Sequence, residues 1–517
     1  MTQEIEIRLA LRPEDRPRLY ESPILKRLAY GRASDKRLHS VYFDTSDLAL
    51  TQHGLTLRVR KTGKTYVQCV KGPSSAESPF EREEWETPLT DDTPNPAAIP
   101  DKTMRELVQG ILAEANLEPQ IGSEIHRTIR SLKTTRGDEI ECAFDDGFIR
   151  GFDGADGEVE ITELELELKI GSPAALFEVA RDLNRVAALT IQTESKSERG
   201  MRALAGRGPE AQKPVRVVLA KDASAEEAFR VTLRHCLDHM ARNVPAVMAR
   251  QPGGVHQIRV GLRRLRAAIT AFGAAFRVPA LEELRGQAKS LADAFGVTRA
   301  LDVFADEMLP DVEPHDIALR GVDAVRVRLK TVRARSWDDS VALVQSQPFT
   351  DFLLALGQAA EQRSWRTGAA DQDVSLFERP ALELAQESLR EELRNACKRA
   401  KHLSRLSPDE RHRLRLAVKK LRYAAEFFAP LFVDKQVGPY LKRISKVQDA
   451  FGALNDASTV QQVLALLLKA PGKREKELHE GAAFIAGWHL GRVRGGWHAA
   501  RKHWKRLVKT EAFWEGE

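Results

Sequence analysis

The sequence predicts a chain in two parts: an α+β, mainly antiparallel module up to about Arg202, followed by an all-helical half. Three observations carry this reading. Near the N-terminus, charged and aliphatic residues alternate with period two in Glu4-Ile5-Glu6-Ile7-Arg8, Leu57-Arg58-Val59-Arg60 and Glu163-Leu164-Glu165-Leu166-Glu167-Leu168-Lys169, as in strands whose successive side chains point to opposite faces. After residues 205–214, with Gly206, Gly208, Pro209 and Pro214, the texture turns Ala/Leu/Arg-rich with helical period. Inside that half, His256-x-x-Arg259-x-x-x-Arg263-Arg264-Leu265-Arg266 recurs at identical spacing as His412-x-x-Arg415-x-x-x-Lys419-Lys420-Leu421-Arg422, which predicts two related bundles.

In chain order, strands are expected at 2–9, 38–43, 55–61, 66–71, 80–87, 124–134, 139–150 and 158–170, with helices at 105–115 and 173–188. A helix start is expected at 224–226, and helix breaks near Gly253, Pro310, Gly368 and Pro408. Behind the first copy of the repeat stand Asp293-Ala294-Phe295-Gly296 and Asp302; behind the second, at the same offset from its histidine, stands Asp449-Ala450-Phe451-Gly452, with Asn455-Asp456 following.

With 517 residues and a hydrophobic fraction of 42%, the chain can bury real cores in two or three domains, which excludes a disordered tail protein. The net charge of +6 is the small difference of 80 Lys+Arg and 74 Asp+Glu, so the information lies in where charges sit. Cys69, Cys142, Cys236 and Cys397 form no CxxC pair, which argues against a zinc ribbon and for a reducing compartment, with a disulfide between distant positions left open. There is no 18-residue apolar run and the chain begins with a charged strand, so the expectation is a cytoplasmic protein with no membrane partner.

Glu4 and Glu6 share one strand face, as do Glu163, Glu165 and Glu167. Two such strands meeting would offer a hard divalent cation several carboxylate oxygens. Arg58 and Arg60 share another face, with Lys71, Arg82, Arg127 and Lys196 as further cations, and guanidinium forks suit phosphate oxygens. Charges alternating with aliphatics are ordinarily the solvated face of a sheet. Here the sign is segregated by strand, all Glu over 163–167 and all Arg at 58 and 60, which favours a cavity holding a cation and a polyanion together.

On these strands, and on Tyr42-Phe43-Asp44-Thr45, Lys71-Gly72, the Arg82 to Glu86 segment with Trp85, Asp145-Asp146-Gly147 and Ser195-Lys196-Ser197 in that order, residues 1–203 resemble the CYTH family of triphosphate tunnel metalloenzymes. The resemblance implies an eight-stranded antiparallel β tunnel barrel. Glu4, Glu6, Glu163 and Glu165 would hold Mg²⁺ or Mn²⁺, and Arg58, Arg60, Lys71, Arg127 and Lys196 the triphosphate. Arg8, Glu84 and Lys71 would serve catalysis, with Glu141 and Asp145 also facing the tunnel. Bacterial members are commonly inorganic triphosphatases, with thiamine triphosphatase and adenylyl cyclase activities elsewhere. The family's first strand reads ExExK, and Arg8 stands where the lysine would be, exchanging a compact ammonium for a planar fork.

In the helical half, His256, Arg259, Arg263 and Arg266 fall on one stripe at 100° per residue, opposite Ile258, Leu262, Leu265 and Ile269. His412, Arg415, Lys419 and Arg422 repeat it against Leu414, Val418, Leu421 and Phe428. Five Arg and no acid lie between Val255 and Ala280, and six Lys/Arg and no acid between Arg411 and Ala425. Like charges at i,i+3 and i,i+4 repel, so unless the stripe is simply a solvated face it invites an anion. No second ligand accompanies either histidine, which argues against metal there. Aromatics make up 6% of the chain and none interleaves the stripes, which disfavours nucleic acid. These helices resemble the CHAD family, built from two four-helix bundles, and the resemblance implies inorganic polyphosphate binding by the eight stripe residues. The expected division is 1–203 tunnel domain, 204–223 linker and 224–510 helical domain. The expected activity is metal-dependent hydrolysis of inorganic triphosphate, the alternatives being an organic triphosphate substrate or a non-catalytic polyphosphate binder.

Overall fold

A computed structural model describes residues 2–74, 80–113, 115–152, 157–273, 276–312, 316–367 and 371–515. Eight strands, β1 (Thr2–Ala10), β2 (Ala29–Asp44), β3 (Thr56–Thr62), β4 (Thr65–Ser74), β5 (Glu81–Leu89), β6 (Glu118–Lys133), β7 (Glu139–Gly151) and β8 (Val159–Ile170), lie in the order β5-β4-β3-β2-β6-β7-β8-β1. Because β1 also pairs with β5, the sheet closes into an antiparallel barrel, to which the short β9 (Thr190–Ile191) is added beside β1. Closure removes the exposed edges an open sheet would present.

The barrel turns its charges inward and its aliphatics outward. Ile7, Leu9, Leu164 and Leu166 are fully buried, each worth about 1.5–3 kcal/mol against exposure. The helix Pro173–Val186 packs on this side of β1 and β8 with Leu176, Phe177, Val179 and Leu183 buried. Around the barrel, the helix Lys102–Leu112 buries Met104, Val108 and Leu112 against Leu57, Val70 and Trp85. The hydrophobic core is therefore a shell around a polar tube.

The strand at 38–43 is longer than alternation predicts. β2 begins at Ala29, and its first nine residues are all exposed, so with no buried face they carry no period-two signal. The helix Lys196–Leu204 is not among those the sequence predicts; Ser195 opens it with a capping box, its hydroxyl accepting from the Glu198 amide while Glu198 accepts from the Ser195 amide. It seats on the barrel through Gly200, where a Cβ would lie 2.5 Å from Ile121 Cδ1 and 2.7 Å from Ile149 Cγ2. Gly200→Val is therefore expected to cost about 1–3 kcal/mol by overpacking, read as a lower unfolding midpoint.

The compact units do not follow a single cut in the sequence. Residues 237–254 and 343–362 group with 1–213, and the second unit comprises 214–236, 255–342 and 363–517. Within the first unit, the helix Gln347–Glu361 lies on Pro173–Val186, Arg181 forking onto Asp351 at 2.9 and 3.0 Å and Thr350 donating to the Leu189 carbonyl at 2.6 Å. The second unit is helical, and its duplicated motif is duplicated in space. Ile258, Leu262, Leu265, Ile269 and Phe295 are buried in one copy, and Leu414, Val418, Leu421, Ala425 and Phe451 in the other. Among the described residues no helix is long and apolar enough to cross a membrane, and all four cysteines are free.

Candidate functional site

The barrel encloses a cavity of about 660 Å³ lined by Glu4, Glu6, Arg8, Arg58, Arg60, Lys71, Glu84, Arg127, Glu165 and Lys196, with Glu141, Asp145 and Glu167 beside them. Cross-strand register decides who neighbours whom. Arg8 stands opposite Glu165 and Glu6 opposite Glu167 on β8, while Arg127 stands opposite Asp145 and Lys71 opposite Glu84.

Two ion clusters result. In one, Lys71 donates to Glu4 at 2.5 Å and lies 3.4 Å from Glu84, which Arg58 reaches at 3.3 Å and the Cys69 thiol at 2.6 Å. Burial works against ionising Glu84, but Lys71, Arg58 and the thiol hydrogen bond overcome it and hold the carboxyl down to about 2. Burial, with Glu6 beside it, instead raises Glu4 despite Lys71. In the second cluster Arg127 forks onto Asp145 through Nε at 2.7 Å and Nη2 at 2.5 Å and also reaches Glu165, while Lys196 bridges Asp145 at 2.8 Å, Glu165 at 2.7 Å and Glu163. Burial opposes the charge on Glu165, yet Arg127 and Lys196 hold it well below the usual carboxylate range.

Glu163 is set apart. Its side chain is fully buried, and it does not line the cavity, because Arg199 from the helix Lys196–Leu204 takes its second oxygen at 2.6 Å. Arg199 was not anticipated, although the Ser195-x-x-Glu198 pattern marks the start of the helix that carries it. Arg8 is 6% exposed and donates to the Thr193 carbonyl at 3.1 Å. Burial works against its charge, but Glu6, Glu163, Glu165 and Glu198 raise its pKa, so it acts as a fixed charge and not as a proton carrier. Among the described residues Arg60 has no ion pair: its hydrogen bond goes to Ser40 at 3.2 Å, and burial with Arg58 and Arg127 pushes it down to about 10. Such a group gains from an anion.

Asp145, Glu163 and Glu165 each bring a carboxylate oxygen within 4.8 Å of the others, an all-oxygen donor set that fits a hard divalent cation. The Lys196 ammonium now occupies the middle of that set. Glu4 and Glu6 lie on β1 beside Lys71 and Arg8 rather than in this group. A second group, Cys69, Glu84 and Glu86, offers mixed sulfur and oxygen donors.

In the helical unit the two basic stripes converge. Arg263 Nε reaches the Tyr423 hydroxyl at 3.4 Å, and Arg264 pairs with Glu426 at 2.9 Å. Lys419 feels both copies: burial first, then Arg415, Arg263, Arg259 and Arg422, push its ammonium down to about 7. Arg422 is shared with Glu426 at 2.6 Å and Gln448 at 2.8 Å. Arg259 donates to the Ala292 carbonyl across Gly296, where a Cβ would meet its Nη1 at 2.9 Å. Arg266 lies toward Arg285 and Asp293.

The two histidines part company. His412 is exposed, while burial, then Arg299, Arg263 and Arg259, push His256 down to about 4, which leaves it a neutral hydrogen-bond partner. Asp302 is buried against Arg333 at 2.7 Å and Trp337 Nε1 at 3.1 Å, a structural role. The side chains of Gly452, Asn455 and Asp456 lie outside the described residues. Trp497 is packed under Arg411 at 4.4 Å.

The CYTH domain model matches residues 2–201 and the CHAD domain model residues 231–465. An uncharacterized protein of Mycobacterium tuberculosis is 26% identical over 422 residues, 75% of each chain. An inorganic triphosphatase of Haemophilus influenzae is 28% identical over 204 residues, 39% of this chain and 54% of that protein. Among solved structures, the CHAD domain of the plant Ricinus communis superposes with a TM-score of 0.50 at 26% identity, covering 59% of this chain and 99% of that one.

Proposed function

This chain is a CYTH domain followed by a CHAD domain, and from that premise we propose that its barrel hydrolyses inorganic triphosphate with Mg²⁺ or Mn²⁺ while its paired basic helices hold inorganic polyphosphate. One observation carries the reading. A closed tube sets Arg58, Arg60 and Lys71 on one side and the oxygens of Asp145 and Glu165, backed by the buried Glu163, on another, the equipment for phosphoryl transfer by positioning and charge neutralisation. The relative named an inorganic triphosphatase matches over this barrel.

In this reading Arg58, Arg60 and Lys71 grip the triphosphate oxygens, and Arg60, which has no ion pair among the described residues, gains an anionic partner. Arg127 and Lys196 pair with Asp145 and Glu165, and with a cation held by the cluster Lys196 would be released to meet a phosphate oxygen. Asp145, Glu163 and Glu165 would hold that cation, which when bound would supply charge neutralisation and a lowered pKa for a coordinated water; Glu4 and Glu6, expected as ligands from the sequence, stand apart beside Lys71 and Arg8. Attack of water on a terminal phosphorus forms one P–O bond and breaks the bridging one, releasing phosphate and pyrophosphate. Arg8 contributes charge and orientation to the terminal phosphoryl group.

The test is phosphate release by the purified protein from inorganic triphosphate, ATP and thiamine triphosphate, each with Mg²⁺, Mn²⁺ or EDTA. Metal-dependent turnover with the highest kcat/KM on inorganic triphosphate is expected. Preference for a nucleotide or thiamine triphosphate would move the substrate to the organic class, and no turnover in protein that still binds polyphosphate would leave a binding protein.

A further inference from the structure

At the N-terminal end of the helix Pro408–Phe428, a second cavity of about 520 Å³ is lined by Lys398, Arg399, Lys401, His402, Arg405 and Arg413, with Leu406 and Glu410. Glu410 is its single acid: it accepts from the Ser407 amide at 2.7 Å in a capping box and lies in the field of Arg413. Among the described residues Lys398, Lys401, Arg405 and Arg413 have no ion-pair partner. Five like charges around one concavity raise each other's energy and are relieved by an anion.

This cavity is not a piece of the paired stripes. At 100° per residue Arg413 stands roughly 140° round the helix from the mean direction of His412, Arg415, Lys419 and Arg422. The internal repeat makes the same point independently. The stripe residues have counterparts in the first copy; of the basic residues here Lys398 falls on Arg242, whereas Arg399, Lys401, His402, Arg405 and Arg413 align with Asn243, Pro245, Ala246, Ala249 and Gln257. Those five belong to the second copy alone. The surroundings reinforce them: residues 381–517 hold 27 Lys+Arg against 16 Asp+Glu, a net +11 that exceeds the +6 of the whole chain.

We propose that this cavity is a second anion site that takes a compact run of phosphate groups, supplied either as a free oligophosphate or as one end of a long polyphosphate chain. Its lining contains no Phe, Tyr or Trp, the large rings of a base-stacking platform, which favours phosphate over a nucleic-acid base. The ligand class is shared with the polyphosphate reading of the stripes, but the residues are not, so the two readings fail separately.

The full-length protein, with EDTA present to suppress turnover, is titrated calorimetrically with short-chain and long-chain inorganic polyphosphate. The same titrations are made on Arg405→Ser/Arg413→Ser, on the charge-keeping Arg405→Lys/Arg413→Lys, and on the stripe variant Arg263→Ser/Lys419→Ser. The tunnel contributes equally to all four and cancels. The serine pocket variant is expected to lose one equivalent of short-chain binding that the stripe variant keeps. Its salt slope should fall by about 1.4, from two contacts at about 0.7 each, and the lysine pair should restore both. A loss confined to long chains would identify the occupant as a chain end. Identical isotherms for wild type and the serine pocket variant at both lengths would overturn the proposal, whatever the stripe variant does.

Discussion

Glu165→Gln is expected to lower metal-dependent turnover of inorganic triphosphate on the order of 100- to 1000-fold, the cost of removing one preorganised charged group from a polar active site. The reason is positional. Glu165 lines the cavity, contributes to the oxygen cluster with Asp145 and Glu163, and shares Arg127 and Lys196 with them. The variant should fold, because Asp145 and Glu163 remain to neutralise both cations. It should bind Mg²⁺ or Mn²⁺ more weakly by calorimetry without substrate, while long-chain polyphosphate binding by the helical unit stays within about twofold, since substitutions that share no partners add. Equal loss of turnover and polyphosphate binding would sink the two-module account.

Arg263→Ser/Lys419→Ser is the converse experiment. Hydrogen bonds to charged groups contribute about 1.5–3 kcal/mol each, so losing two contacts should weaken polyphosphate binding by at least about 100-fold at low salt and leave triphosphate turnover unchanged. Lys419 adds a pH signature. With its free-state pKa pushed down to about 7 by burial and by Arg415, Arg263, Arg259 and Arg422, it is charged below that pH and neutral above it, while a bound polyanion raises it again. Affinity should therefore fall as pH rises above 7, by up to tenfold per unit until the bound-state pKa is reached, with one proton taken up on binding. Lys419→Arg should flatten the profile. A profile that Lys419→Arg leaves unaltered would assign the titration elsewhere.

Much of the barrel was legible because its signal is local. Alternation in β1, β3 and β8 reports two chemically different faces, and those faces exist whatever the strand's neighbours are. The first nine residues of β2 were not legible, since a strand exposed on both faces has no pattern to show. The candidate site was legible as a set of charges but not as a set of pairs. Nothing in Glu163-Leu164-Glu165 distinguishes the two carboxylates, yet Glu165 opens on the cavity and Glu163 is sealed behind Lys196 and Arg199.

The sequence by itself determined the sign and face of each charged strand, the period of the helices and the duplication of the basic stripe. These are properties of neighbouring residues at fixed backbone geometry. Only the tertiary structure decided that β1 closes against β5, that Arg8 stands opposite Glu165, that Lys419 sits between two stripes, and that two histidines at the same motif position have opposite surroundings, His256 half-buried among arginines and His412 exposed. Register, burial and the field of distant charges are set by chain segments far apart in sequence. The pKa of a lysine or histidine is the sum of such contributions, which no local pattern contains.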